Sequence, residues 1–172
     1  MSGRTLRSGG FTLVELLVVV ALVGVVTAIA FASMSGSSYA GTVQGYSDEV
    51  ANTLETARLR AVSSRRWQRI EFTSEYATVW QSTTTGMAVP TDWQSIEVLS
   101  TPQNVSVAST DDATHVAPGS PPGVGAGLPG AVDFAPDGTA ETFTVFLQDT
   151  NDVRARVVVY RATGTPVVLS GW

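Results

Sequence analysis

Gly10-Phe11-Thr12-Leu13-Val14-Glu15-Leu16-Leu17-Val18-Val19 opens a run that stays apolar, apart from Thr12, Glu15 and Thr27, as far as Ala32. About 20 consecutive apolar residues is the length a helix needs to cross a bilayer, so residues 11–34 read as a transmembrane helix. Arg4 and Arg7 precede the run. Cations on that flank hold it on the cytoplasmic side and leave everything after Ser35 outside. A secretory signal peptide fits badly, because its apolar region is usually about 7–15 residues long. The small-residue cleavage candidates, Ala28-Ile29-Ala30 and Ala30-Phe31-Ala32, also lie inside the run.

Glu15 is the informative residue of the span. A carboxylate within a membrane helix costs about 2.5–3.5 kcal/mol on insertion scales, and such groups mark function by default. The plain alternative is a glutamate near the cytoplasmic interface that snorkels to water. A free amine at Phe11 would lie one helical turn away and neutralise the carboxylate, on a neighbouring subunit.

Gly10, Phe11 and Glu15, followed by the uninterrupted apolar run, resemble the class III leader of type IV pilins and type II secretion pseudopilins. The resemblance implies that residues 1–10 are a leader removed by a prepilin peptidase between Gly10 and Phe11. It also implies methylation of the new N-terminal Phe11 and a role for Glu15 in filament assembly.

The soluble remainder reads differently. Met34 to Gly45 is rich in Gly and Ser, which predicts a softened helix or hinge where the chain leaves the membrane. Val43, Val50, Leu54, Ala57 and Ala61 then share one face at helical spacing, while Asp48, Glu49, Glu55, Arg58 and Arg65 mostly point elsewhere. Residues 35–66 thus form a hinge and an amphipathic helix ending near Ser64. Beyond Arg66 the period is two. Strands are expected at 68–73 and 76–81 across a Ser74-Glu75 turn, at 95–99, at 104–107 after Pro102, at 131–134 and at 142–147 after the Asp137-Gly138 turn. A last pair, 154–160 and 165–169, is joined at Ala162-Thr163-Gly164. The expected fold class is α+β: one long N-terminal helix packed on an antiparallel β body of two sheets over 67–172. Trp67, Trp80, Trp93 and Trp172 are available to fill its core.

Composition limits the chemistry. The net charge is −5, every one of the ten basic residues is arginine, and there is no cysteine. Removing the leader takes away Arg4 and Arg7, which leaves eight basic against fifteen acidic residues and a charge of −7. An acidic body is a poor default binder of nucleic acid. No cofactor, metal site or catalytic residue is expected. The one histidine, His115, sits at the edge of a Pro/Gly-rich loop over 115–130 and reads as a solvated loop side chain, with no Ser placed as a nucleophile. Asp111-Asp112 lacks the spacing of a Ca²⁺ loop and reads as a solvated turn. Arg58, Arg60, Arg65, Arg66 and Arg69 form the one basic cluster. It reads as a cap on the helix end, paired with Glu55 and Glu71, or as an interaction patch for an acidic neighbour, lipid headgroups or DNA.

Leu54 to Val62 resembles the helix end of the GspH/FimT family of minor pseudopilins. Val132-Asp133-Phe134-Ala135-Pro136-Asp137-Gly138 resembles that family's F-x-P-D-G turn, and Arg156 to Val159 before Thr163-Gly164 its closing hairpin. The resemblance implies a pilin-like fold and a minor pseudopilin of type II secretion, anchored in the inner membrane with residues 67–172 in the periplasm. Its partners would be the prepilin peptidase and other pseudopilins or pilins. The alternative is a FimT-like minor pilin of a type IV pilus, acting in pilus assembly or DNA uptake. DNA-capturing relatives are expected to carry a G-R-x-R signature in the tail. Here the corresponding stretch is Gly164-Thr165-Pro166-Val167, with no arginine after Arg161, so DNA is not the expected partner.

Overall fold

The computed structural model describes residues 13–110, 123 and 125–171, with side chains described outside 24–41. His115, Asp111, Asp112 and most of the Pro/Gly-rich loop lie outside the described residues, as do Gly10, Phe11 and Trp172.

One helix, α1 (Leu13–Ser64), is followed by β1 (Gln68–Phe72), β2 (Tyr76–Ser82), β3 (Trp93–Ser100) and β4 (Val105–Thr110), and then by β5 (Gly130–Phe134), β6 (Phe143–Asp149), β7 (Arg154–Val159) and β8 (Pro166–Ser170). The expected hinge over 34–45 contains no break in the helical backbone. By its internal contacts, however, the chain divides into a unit ending at Ser38 and one from Tyr39 onward, and that boundary falls within the Gly/Ser-rich stretch.

The second unit is a two-sheet body. One antiparallel sheet has the order β3-β2-β1-β5 and the other the order β4-β6-β7-β8. The β1–β2 hairpin closes where the Thr73 amide donates to the Tyr76 carbonyl at 2.8 Å, across the expected Ser74-Glu75 turn. The Ala135–Gly138 turn carries the chain from β5 in one sheet to β6 in the other.

α1 supplies the stripe read from the sequence. Val43, Val50, Leu54, Ala57 and Ala61 are buried, and Tyr46 joins them. They form one core with Ile70, Phe72 and Val79 from the first sheet and Phe143, Val145, Leu147 and Val157 from the second. Phe72 and Phe143 stack across the sheets with ring centroids 5.7 Å apart. The small residues Ala57 and Ala61 let the helix backbone come close to the sheets, and larger side chains from the strands fill the space between.

The tryptophans depart from expectation. Trp67, Trp80 and Trp93 are half-buried and contribute nothing to the central cluster, which Val, Phe, Leu and Ala fill. Inward positions on β1 alternate as Gln68, Ile70 and Phe72, and Arg69 of the opposite face is paired with Trp80 across the hairpin. Parity therefore places Trp80 on the outer face, where Arg69 also lies 4.5 Å over the Trp93 ring.

α1 ends by a backbone device. Arg65 adopts a left-handed conformation (φ 53°), and the amide of Arg66 donates to the carbonyl of Ala61 at 3.3 Å. That six-to-one bond across a left-handed residue is the Schellman stop, here made without glycine. The Gly86 amide then holds the Arg65 carbonyl at 2.9 Å.

Candidate assembly site

Leu13 to Val23 presents apolar side chains in every direction around the helix. Leu13, Val14, Leu16, Leu17, Val18, Val19, Val20, Leu22 and Val23 are between 51% and 80% exposed. Soluble monomers rarely leave contiguous apolar surface of this extent uncovered. Glu15 lies in the first turn of α1, where the unpaired amides of a helix start favour a negative group. Among the described residues no helix is long and apolar enough to cross a membrane. The span expected over 11–34 reaches beyond them at both ends, since residues 11–12 and the side chains of 24–34 are not described.

The five arginines of the basic cluster are dispersed over the body. Arg58 pairs with Glu55 at 3.0 Å one turn earlier, and its Nε donates to the Thr163 carbonyl at 2.7 Å. Arg60 reaches Glu97 of β3 at 3.0 Å. Arg66 donates to the Ser82 carbonyl at 3.3 Å. Arg69 makes a bidentate pair with Asp133, both bonds 2.7 Å, rather than pairing with Glu71. Its guanidinium is pushed further above the usual arginine range by the Asp133 hydrogen bonds, against a smaller opposing effect of burial. Arg65 is the exposed stop residue of α1.

Three separate sequence signals meet at Arg58. Its side chain lies against Gly138 of the β5–β6 turn and Gly164 of the β7–β8 turn. A methyl group on Gly164 (φ 61°) would sit 2.3 Å from the Gly138 carbonyl oxygen, and one on Gly138 (φ 85°) would sit 3.0 Å from Val62. Both turns need glycine for the left-handed backbone, and Gly164 needs it for the close approach as well. The helix end, the Pro136-Asp137-Gly138 turn and the Thr163-Gly164 hairpin thus form one clasp. The Asp137 carboxyl accepts from the Thr139 hydroxyl at 2.6 Å and the Thr139 amide at 3.0 Å, which holds it below the usual carboxylate range.

Sequence reasoning missed Asp133 and Trp93 as partners of Arg69. Arg69 and Asp133 are 64 residues apart and meet only because β5 crosses back to pair with β1. It also missed a cleft of about 720 Å³ beside β5, lined by Ala131, Asp133, Thr142, Trp67 and Arg161 among others. No local signal in the chain marks either. Among the described residues no group of three His, Asp or Glu side chains could hold a metal ion.

Comparison with known proteins matches these features. A family model described as Type II transport protein GspH covers residues 46–164, well over half of the chain. A second, described as Prokaryotic N-terminal methylation motif, covers residues 5–31. No match was found among curated proteins. Two solved structures of the minor pseudopilin EpsH from the type 2 secretion system of Vibrio cholerae share the fold. One has 14% identity and a TM-score of 0.53 over 75% of this chain and 97% of its own. The other has 12% identity and a TM-score of 0.53 over 77% and 96%. The type IV minor pilin FimU of Pseudomonas aeruginosa is similar at 13% identity with a TM-score of 0.46, over 77% of this chain and 90% of its own. With a methylation-type leader, an apolar helix start and the GspH body, the chain belongs to the GspH family and is a minor pseudopilin of type II secretion.

Proposed function

We propose that the chain is processed between Gly10 and Phe11 by a prepilin peptidase, methylated on Phe11, and held as a single-pass protein of the inner membrane with its β body in the periplasm. From there it enters a pseudopilus beside other pseudopilins and acts as a structural subunit, not as an enzyme. The observation that carries this reading is the apolar surface of Leu13–Val23, open on all sides of the helix and interrupted by one carboxylate. Lipid and a filament core both bury such a surface, so the same segment can pass from one to the other without exposing it to water. Glu15 would then meet the Phe11 amine of a neighbour and fix the register of the two helices, because an unpaired carboxylate in an apolar core is costly.

Mass spectrometry of the mature chain tests the processing: a methylated Phe11 terminus is expected, and a terminus near Ala30 or Ala32 would overturn it. Glu15→Ala is expected to leave the unfolding of the body unchanged while lowering co-purification with other pseudopilins at least tenfold. Undiminished co-assembly of that variant would remove Glu15 from the mechanism.

A further inference from the structure

The cleft beside β5 is a wedge between two strands that part company. β5 pairs with β1, and its last residue, Phe134, bridges to Ala140. From there the chain leaves β5 through Glu141 and Thr142 and enters the other sheet as β6. The wedge opens where they diverge, with Ala131 to Asp133 on one side and Ala140 to Phe143 on the other.

The hydrogen-bond alternation of the sheet decides what β5 shows to that space. The Ser82 amide donates to the Trp67 carbonyl and the Thr73 amide to the Tyr76 carbonyl, so odd-numbered residues of β1 face β2. Its even-numbered residues, Gln68, Ile70 and Phe72, therefore bond to their partners Phe134, Val132 and Gly130 of β5. Ala131 and Asp133 consequently turn their main chain outward. The bridge at Ala140 closes the end of the strand, which leaves the N–H and C=O of Ala131 and the N–H of Asp133 facing the wedge. On the wall, Trp67 has a buried indole N–H without a partner among the described residues. An outward strand edge of this kind recognises another main chain before it recognises any side chain.

We propose that this wedge receives an extended segment of a neighbouring pseudopilin, added antiparallel to β5 and exchanging two main-chain hydrogen bonds with Ala131. The choice of occupant rests on the assembly reading above, which sets β bodies side by side outside the membrane. The open main chain supplies the chemistry. A small molecule would satisfy the wall of the wedge but not the strand edge, and the Ala131 groups sit where the next strand of the sheet would lie.

Ala131 permits a clean test, because its side chain is exposed and its main chain takes no part in the β1–β5 bonds. In the full chain, in cells that carry the assembled secretion system, a photo-cross-linking side chain at Ala162 reports on the wedge and one at Leu16 reports on helix packing. The expected result at Ala162 is an adduct whose second component is mapped by mass spectrometry to another pseudopilin. Ala131→Pro removes the outward N–H and should lower that adduct at least tenfold, and Ala131→Val keeps the N–H and should preserve it. Glu141→Trp, on an exposed residue of the opposite wall, fills the wedge without touching β5 and should lower the adduct similarly even if the proline variant is unstable. The inference is overturned if Leu16 still captures pseudopilins while Ala162 captures none, captures only its own chain, or gives an adduct indifferent to both blocking variants. Loss of the Leu16 adduct in the unsubstituted body would instead sink the assembly reading itself.

Discussion

The two ends of α1 are built from similar aliphatic residues and have opposite fates. Leu13 to Val23 is apolar all round and exposed all round, whereas Val43 to Ala61 concentrates its apolar residues on one stripe and buries that stripe completely. A stripe needs a partner on one side, and the two sheets provide it. An all-round apolar helix needs a solvent that is itself apolar. The same secondary structure therefore does two jobs, and the distribution of polar residues around the axis tells them apart.

The sharpest way to break that comparison is to shorten one leucine from each end. Leu54 is fully buried between the sheets, so Leu54→Ala should destabilise the body by about 2–5 kcal/mol, since the cavity can collapse only in part. The matching Leu17→Ala removes a side chain that is 62% exposed and should leave the unfolding curve of the body where it was. Tryptophan fluorescence of the full chain in detergent follows both, as Trp67, Trp80 and Trp93 all lie in the body. An equal loss at both positions would mean that the helix start is part of the folded core.

A smaller effect sharpens the same contrast by asking what docks the buried end. Arg58 ties α1 to the β7–β8 turn through the Thr163 carbonyl, and Gly164 lets that turn come within reach. Gly164→Ala combines a left-handed backbone with a methyl group 2.3 Å from a carbonyl oxygen, so the turn must shift. About 1–3 kcal/mol should be lost. The amide of residue 164, which donates to the Tyr160 carbonyl at 2.8 Å, should also exchange faster in the variant, measurable by hydrogen–deuterium exchange. Unchanged stability would show that the turn adapts and that the clasp is not what holds the helix.

Much of this architecture was legible in the sequence. The stripe from Val43 to Ala61, the end of the helix at Ser64 and every strand signal correspond to observed elements, because each rests on a short-range period. The N-terminal methylation motif, matched over residues 5–31, is equally local. What could not be read is what depends on chain crossing. The tryptophans were expected inside because of their size, yet strand parity placed Trp80 on the outer face, where Arg69 packs across the sheet. The basic cluster looked like one feature because its members are close in sequence. A helix turn and a strand pleat send them to Glu55, Glu97, Ser82 and Asp133 instead. The outward edge of β5 was likewise invisible until the pairing of β1 with a strand some 60 residues later was known.

The smallest expected effect concerns Tyr46, the polar member of the buried stripe. Its ring is packed in the core, and its hydroxyl shares a hydrogen bond with Thr101 at 3.0 Å. Burial raises the phenol above its ordinary value of 10.0, the Thr101 bond pulls it part of the way back, and the nearby Glu49 charge adds to the rise. The unfolded chain therefore gives up this proton at a lower pH than the folded one. Stability from the neutral phenol is fully present below pH 10 and declines as pH rises above it, because ionisation then favours the unfolded state. Tyr46→Phe should lose about 1 kcal/mol at neutral pH, the worth of the hydrogen bond to Thr101. It should also lose part of the alkaline slope, so that the gap between the two proteins is constant below pH 10 and narrows as pH rises above it. Unfolding midpoints measured on both sides of that pH decide it. Parallel curves would mean that another group carries the alkaline transition, and a zero offset between them that the hydrogen bond to Thr101 adds nothing to the packing of the ring.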